Sequence, residues 1–249
     1  GVDRNTVIID GRYEQDNGII VAADGVRVEN LTVQKFRTNG VLVQGGYDST
    51  STSGADGTGS VTTTGTSVLN RFSVQYVNAN GNGLYGIYAF SSENGVIANT
   101  YTYANADAGI YVGQCKPCNI DVNDNYAAFN GLGFQGANAS DELYLYQNSF
   151  ENNRTGIHLL SETKEQKAPQ EKVTVAANYI NNNNNEDAPT TTPDIFGYGI
   201  VVAGGGSNQI LSNSVVDHIV GGIIITSQGD FLPENNKVIG NTISKVLNK

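Results

Sequence analysis

The sequence predicts an all-β protein, a right-handed parallel β-helix (a solenoid) of about nine to ten coils with a repeat of 22–24 residues. Three observations predict it. A glycine followed by an aliphatic or aromatic residue recurs along the chain, and an apolar strand interrupted by asparagine recurs in phase with it. No long apolar stripe of helical period occurs. Repeats of this length indicate a solenoid, because one unit cannot bury its own apolar face and must stack on its neighbours.

The first repeated element is the glycine-led strand. Its successive spacings are 22, 46, 23, 24, 23, 43 and 23 residues, so five of the seven lie between 22 and 24, and 46 is twice 23. The pairs that define it are Gly18-Ile19, Gly40-Val41, Gly86-Ile87, Gly109-Ile110, Gly133-Phe134, Gly156-Ile157, Gly199-Ile200 and Gly222-Ile223.

The second repeated element is the asparagine-bearing strand, seen at 26–33, 68–74, 96–103, 143–150, 173–180, 210–216 and 238–246, and more loosely at 120–129. Strands that stack in register about 4.8 Å apart let asparagine side chains hydrogen-bond from rung to rung at a corner of the coil. We therefore expect an asparagine ladder that includes Asn30, Asn99, Asn148, Asn178 and Asn213.

The whole chain, residues 1–249, is predicted to form a single β-helix domain with three polar insertions, 45–66, 161–172 and 183–196. We expect all three to protrude as loops. The first two follow the glycine-led strand, at a corner that also carries most of the other irregular sequence. That edge is a candidate binding side, unless loops have simply accumulated where nothing constrains them.

The two ends of the sequence carry no recognisable capping helix. An uncapped solenoid end presents unpaired backbone edges and apolar core. We therefore expect either self-association of copies through the β-helix ends or a chain that is part of a larger polypeptide.

Composition and charge exclude several classes of partner. The net charge is −10 and only 15% of residues are charged, which disfavours nucleic-acid binding. The longest apolar run, 219–226, is far too short for membrane insertion. Abundant polar residues and two cysteines favour an extracellular or cell-surface location. Sequons for N-glycosylation occur at Asn30, Asn138 and Asn153.

The rungs cover nearly the whole chain and resemble those of the right-handed parallel β-helix repeat families: pectate lyases, polygalacturonases, alginate epimerases and secreted proteins with the same repeat. The resemblance implies the fold, but unlike functions share this scaffold. In alginate epimerases the outward position after the rung glycine begins an Asp-Pro-His-Glu stretch, whereas this chain has Tyr88, Ala89, Phe90 and Ser91. The resemblance to the epimerases therefore stops at the scaffold.

The candidate glycan-contacting residues lie on the outward stripe, the residues that alternate with the inward positions of the glycine-led strands. The outward stripe consists of Ile20, Leu42, Tyr88, Tyr111, Gln135, His158, Val201 and Ile224, and the residues just before glycine add Tyr85 and Tyr198. Tyrosines on a flat β surface suit sugar binding, because the rings stack on C–H faces and the hydroxyls meet sugar hydroxyls. The alternative is ordinary cross-rung packing of residues that favour strands.

Acid–base chemistry has few candidates. His158 is the outward group suited to proton transfer near neutral pH, and with Tyr111 and Arg154 it could serve an eliminase. No adjacent rungs offer a carboxylate pair of the kind glycosidases use. Pectate lyases need acidic calcium ligands with a basic residue, and the nearest such set is spread over three rungs: Asp107, Asp141, Glu142, Arg154 and Glu162.

No metal or other cofactor is expected from the sequence. Two cysteines and two histidines are too few for an ordinary zinc site. Asp- and Asn-rich corners such as 121–125 could hold Ca²⁺ through oxygen ligands, but 121–125 fails the EF-hand spacing and lacks its distal Glu.

The segment 109-GIYVGQCKPCN-119 suggests either a redox dithiol, half of a metal site or a disulfide in a turn. A thioredoxin-like pair must open a helix, but the next residues here form another rung. We therefore predict a Cys115–Cys118 disulfide that closes a corner.

The favoured interpretation is a structural, adhesive or glycan-contacting β-helix protein whose partner is a polysaccharide or glycan surface. The alternative is a polysaccharide lyase or glycoside hydrolase that acts along the outward stripe.

Overall fold

A computed structural model describes residues 1–45, 68–163, 166–189 and 195–245, and no helix occurs in these ranges. The strands are β1 (Ile8–Asp10), β2 (Asn17–Val21), β3 (Arg27–Gln34), β4 (Asn39–Gln44), β5 (Leu69–Asn70), β6 (Ser73–Asn80), β7 (Ile87–Phe90), β8 (Ser92–Glu93), β9 (Gly95–Ala98), β10 (Tyr101–Tyr103), β11 (Ala108–Cys115), β12 (Ile120–Asn123), β13 (Tyr126–Ala128), β14 (Leu132–Ala139), β15 (Leu143–Tyr146), β16 (Ser149–Glu151), β17 (Thr155–Leu160), β18 (Val173–Ala176), β19 (Tyr179–Asn181), β20 (Tyr198–Ala203), β21 (Gln209–Leu211), β22 (Ser214–Val216), β23 (Gly221–Thr226), β24 (Lys237–Ile239) and β25 (Thr242–Ser244).

All of these strands pair in parallel with the equivalent strand one coil away. One face of the coil is an eight-stranded sheet in the order β2-β4-β7-β11-β14-β17-β20-β23. The other two faces belong to a 15-stranded sheet, in which the long strand β6 pairs with both β9 and β10. From that coil onward, a corner divides the second face from the third. This arrangement confirms the predicted all-β, right-handed parallel β-helix.

The core is built from columns of inward side chains. One column on the eight-stranded sheet is fully buried and contains Val41, Ile87, Ile110, Phe134, Ile157 and Ile200. Each of these residues follows the repeated glycine, so the repeat seen in the sequence is the register of the core. Truncating one such side chain to alanine costs about 2–5 kcal/mol.

The repeated glycine itself faces inward, where no side chain fits. A Cβ on Gly133 would lie 2.6 Å from the carbonyl oxygen of Gly156 and 3.0 Å from the Asn153 side-chain nitrogen. Cβ atoms in real structures do not approach other atoms this closely. The position therefore requires glycine, because the next rung leaves no room for a side chain.

Two buried asparagine ladders line corners of the coil. The first, just before the glycine-led strands, joins amide groups at 2.8–3.0 Å and consists of Asn82, Asn105, Asn130, Asn153 and Asn183. The second joins amide groups at 2.9 Å and consists of Asn125, Asn148, Asn178, Asn213 and Asn241. These bonds satisfy amides that burial would otherwise leave unpaired.

The prediction for the ladder was right for three residues and wrong for two. Asn148, Asn178 and Asn213 belong to the second ladder, but Asn30 and Asn99 do not. Those two have φ values of 56° and 55° and make the left-handed turn one position before the ladder. Asparagine tolerates this backbone conformation better than most residues. An asparagine one position earlier than the ladder therefore makes the turn instead of joining the ladder.

The irregular sequence at the end of the glycine-led strand forms a packed corner. Cys115 and Cys118 are both buried and disulfide-bonded, with Cα atoms 4.6 Å apart, as predicted. The Ser140 N–H of the next coil donates to Cys118 Sγ at 3.2 Å. The disulfide is therefore a staple in a corner that stacks on the following coil.

The insertions differ in what the structure describes. Apart from Gly45, insertion 45–66 lies outside the described residues. Residues of 161–172 pack on the coil rather than protrude: Asn138 Nδ2 donates to the Glu162 and Gln166 carbonyls at 2.8 and 2.9 Å, and Gln170 is fully buried. Buried polar partners at this corner hold the loop down.

The last described rung leaves apolar side chains exposed. Val238 and Ile243 pair with the fully buried Ile210 and Val215 but are themselves 44% and 56% exposed. Self-association through this end stays a prediction. In the described ranges, no helix is long and apolar enough to cross a membrane.

Candidate functional site

The outward stripe is aligned as the sequence predicts. The register of the eight-stranded sheet pairs Tyr88 with Tyr111, Tyr111 with Gln135, and Gln135 with His158. Leu42 precedes Tyr88 and Val201 follows His158 in the same column. The period-two alternation of strands is sufficient to place these residues in one line.

Three tyrosines of this face form one aromatic cluster. The ring centroids are 4.8 Å apart for Tyr85 and Tyr88, 4.7 Å for Tyr88 and Tyr111, and 5.0 Å for Tyr85 and Tyr111. Phe90 stacks on Tyr88 at 5.6 Å. Distances in this range are those of favourable offset or tilted aromatic pairs. The sequence placed these rings on neighbouring rungs, and the structure brings them into contact.

The centre of the outward stripe is buried, contrary to the expectation that it faces solvent. Tyr111 is 3% exposed and His158 is 2% exposed, while Tyr85, Tyr88 and Tyr198 are half-buried. Strand alternation determines which side of the sheet a residue occupies but not what packs above it. At the start of these strands, a Cβ on Gly131 would lie 3.2 Å from the Pro189 carbonyl oxygen, so Pro189 of insertion 183–196 lies against this edge.

Several buried polar atoms of this face lack hydrogen-bond partners among the described residues. They are Gln135 Oε1, both ring nitrogens of His158, Thr155 Oγ1 and Arg154 Nε. Burial lowers the pKa of His158 to about 4, so its imidazole is neutral at pH 7. Buried polar groups in folded proteins are usually hydrogen-bonded, so each of these atoms calls for a partner, such as an ordered water.

The three catalytic candidates do not form one acid–base unit. Tyr111 and His158 are two rungs apart, a separation of about 10 Å, with Gln135 between them. The Arg154 guanidinium lies over the Phe196 ring, 4.8 Å from its centroid. A shared proton transfer between Tyr111 and His158 would require a bridging ligand, since hydrogen bonds span about 3 Å.

The acidic set considered for a calcium-dependent lyase does not converge either. Asp141 forms an ion pair with Lys172, with Oδ1 and Nζ 3.0 Å apart. On the same corner, Lys116 forms an ion pair with Glu171. Within the described ranges, no three His, Cys, Asp or Glu side chains are grouped so that they could hold a metal ion.

Two of the three sequons are buried. Asn138 and Asn153 are fully buried, and their Nδ2 atoms donate hydrogen bonds to Glu162 and Asn183, respectively. A glycan on either nitrogen is incompatible with these contacts, so both predictions are corrected. Asn30 is half-buried and stays a predicted site.

The first asparagine ladder is a feature that sequence reasoning missed. The available signal was an asparagine three or four residues before four of the eight repeated glycines, as in Asn82 before Gly86 and Asn153 before Gly156. The ladder ends on His218, whose Nε2 lies 3.2 Å from Asn183 Nδ2. His218 is therefore structural.

Comparison with known proteins agrees with this architecture. The family model described as "Right handed beta helix region" matches residues 17–164 and 59–243. No curated protein matches this chain by sequence.

Two solved structures are similar in fold. The mannuronan C-5 epimerase AlgE4 A-module from Azotobacter vinelandii has 14% identity and a TM-score of 0.50, and the alignment covers 90% of this chain and 64% of that module. The AlgE6 A-module from the same organism has 15% identity and a TM-score of 0.47, with coverages of 92% and 69%. This chain thus spans less than two thirds of the length of the AlgE4 module. At such identities the likeness concerns the fold alone.

Proposed function

This chain belongs to the right-handed β-helix family, and on that premise we propose that it is an extracellular or cell-surface protein that binds glycans on the outward face of its eight-stranded sheet. The observation that carries the proposal is the Tyr85–Tyr88–Tyr111 cluster, with ring centroids 4.7–5.0 Å apart. Tyr85 and Tyr88 retain partial exposure and are the rings that a ligand can reach. Aromatic faces beside hydroxyls match the alternating apolar and polar surfaces of a sugar.

The polar groups next to the cluster support the same proposal. Gln135 lies one rung beyond Tyr111, and its Oε1 has no hydrogen-bond partner among the described residues. That atom is buried, so a bridging water could satisfy it while a sugar contacts the exposed parts of Tyr85 and Tyr88. The Cys115–Cys118 disulfide supports an oxidising location outside the cytosol.

A binding assay with matched variants tests this proposal. Because a fold neighbour is named for an activity on mannuronan, the panel includes uronans as well as neutral polysaccharides. Affinity electrophoresis should show binding that Tyr88→Ala weakens by about five- to tenfold and that Tyr88→Phe largely retains. Tyr144→Ala is the control, since Tyr144 is a 40% exposed tyrosine on the other sheet. Unchanged binding in Tyr88→Ala, or no binding to any polysaccharide of the panel, would refute the site.

An enzyme that cleaves polysaccharides is the second candidate. It would rest on the His158 imidazole, which is neutral at pH 7 and has no hydrogen-bond partner among the described residues, although burial and the lowered pKa make it a weak base. Arg154 lies four residues upstream, immediately before the strand β17 that carries His158. Incubation with pectin, alginate and other uronans, monitored for unsaturated products, tests the lyase form. Turnover that His158→Gln abolishes would establish it, and no turnover on any substrate would exclude it.

A further inference from the structure

A second aromatic surface lies on the third face of the coil, away from the outward stripe. We call it the aromatic patch and define it as Tyr101 and Tyr103 on β10, Tyr126 on β13, and Phe129 just after β13. These side chains point outward, because the residues that alternate with them, Thr102 and Ala127, are fully buried. Register places Tyr101 directly beside Tyr126 on the next rung.

The rings of the aromatic patch are in mutual contact and reach solvent. The Tyr101 ring is near-parallel to those of Tyr126 and Tyr103, at centroid distances of 5.3 and 5.9 Å. The Phe129 ring contacts Tyr103 at 5.2 Å. Tyr103 and Phe129 are 38% and 40% exposed, so the patch presents more ring surface to solvent than the buried centre of the outward stripe.

Folding alone does not explain Phe129. It occupies a corner where the backbone is left-handed, with φ at 59°. The equivalent corner positions of other coils carry mostly small, polar or charged residues: Lys35, Gly81, Ala104, Asn152, Asn182 and Asp217. A bulky aromatic residue is unfavourable in this conformation, and this one remains 40% exposed. An exposed ring kept at such a position indicates a role at the surface.

The charge around the aromatic patch selects the kind of ligand. From the rung of Asn78 to the rung of Tyr179, Glu151 is the only charged residue among the described outward positions of this face. The nearest described cation, Arg4, lies outside these positions and donates to the Asn99 carbonyl at 2.9 Å, while Glu151 repels carboxylate or sulfate groups. Asn78, Ser149 and Tyr179 continue the column of Tyr101 and Tyr126 with hydrogen-bonding groups suited to hydroxyls.

The tyrosine hydroxyls are also suited to a neutral ligand. Partial burial raises the pKa of Tyr101, and burial together with the Glu151 charge raises that of Tyr126. Both hydroxyls are protonated at neutral pH, as tyrosine ordinarily is, and can donate as well as accept hydrogen bonds.

We propose that the aromatic patch is a second glycan-binding site, specific for uncharged polysaccharides. It does not depend on the proposed site at Tyr88, because the two surfaces lie on different sheets. A sugar chain would stack on Tyr103 and Phe129 and hydrogen-bond to the flanking amides and hydroxyls.

Binding to a neutral glucan or mannan and to a polyuronate, measured for the same variants, tests the proposal. We expect the wild-type protein to bind the neutral polysaccharide and Tyr103→Ala/Phe129→Ala to weaken this binding about tenfold or more. Tyr88→Ala and the control Tyr144→Ala should leave the contribution of the aromatic patch intact. Thermal unfolding of each variant establishes that it is folded.

Three outcomes would overturn the proposal: no binding to neutral polysaccharides, unchanged binding in Tyr103→Ala/Phe129→Ala, or equal weakening by Tyr144→Ala. Sedimentation velocity tests the competing occupant, a second copy of this chain. If Tyr103→Ala/Phe129→Ala abolishes a dimer and leaves glycan binding unchanged, the patch is a self-association surface and the proposal is wrong. If Tyr88→Ala has no effect while the double variant does, the second site stands and the proposed function at Tyr88 fails.

Discussion

His158 lies directly beside Gln135 on the neighbouring rung, and both side chains are buried with polar atoms that no described residue bonds. The pKa of His158 is lowered to about 4 by this burial, whereas it is about 6.5 in the unfolded chain. Between these values the unfolded state binds a proton that the folded state does not. Stability contributed by neutral His158 is therefore complete above pH 6.5 and is lost as the pH falls toward 4.

The expected loss from His158 alone is about 3 kcal/mol in the free energy of unfolding between pH 6.5 and 4. Urea unfolding at several pH values measures it. His158→Leu should flatten the pH dependence by roughly this amount. His218 also has a lowered pKa, so His218→Asn should flatten the profile separately, and a variant with both substitutions should flatten it further than either alone. An identical pH dependence in wild type and His158→Leu would contradict the expectation.

Removing one member of the first asparagine ladder should destabilise the protein strongly. Asn130 is fully buried, accepts from Asn105 and donates to Asn153, so Asn130→Ala leaves buried partners unsatisfied. We expect a loss of about 2–4 kcal/mol, measured by chemical unfolding. Asn123→Ala, at a half-buried outward position of β12, should change stability by less than about 0.5 kcal/mol. Equal effects of the two substitutions would show that the ladder contributes little.

A side chain at the repeated glycine should not be tolerated. Gly133→Ala places a Cβ 2.6 Å from the Gly156 carbonyl oxygen, and the backbone of two rungs must separate to relieve it. We expect at least about 1–3 kcal/mol of destabilisation in thermal or chemical unfolding. At Gly206 the nearest atom would be 3.4 Å away, so Gly206→Ala serves as the control and should unfold close to wild type.

Removing the disulfide should weaken the corner without changing the fold. The bond joins residues only three apart, so the chain entropy it removes from the unfolded state corresponds to about 2 kcal/mol. Cys115→Ser/Cys118→Ser should keep its far-UV circular dichroism and unfold at a lower temperature. The wild-type protein should fail to reduce insulin disulfides, since no helix follows the pair to activate a thiolate. Reductase activity would contradict the structural role.

The sequence by itself determined the coil and its register. The spacing of the glycines predicts the columns because a parallel coil must repeat in step, and the alternation within a strand predicts which residues share a face. The Tyr88–Tyr111–Gln135–His158 line and the Cys115–Cys118 corner follow from these two regularities.

Only the tertiary structure decided which of those faces reach solvent. Strand alternation points Tyr103, Tyr111 and His158 outward, yet Tyr111 and His158 are buried and Tyr103 is exposed. The corner residue Phe129, to which alternation does not apply, is exposed as well. The tertiary structure also decided, by a shift of one residue, that Asn30 and Asn99 turn the chain instead of joining a ladder. Strand periodicity is local and can be read from neighbouring residues. Burial depends on how distant segments pack over a sheet, and that packing leaves no periodic signal in the chain.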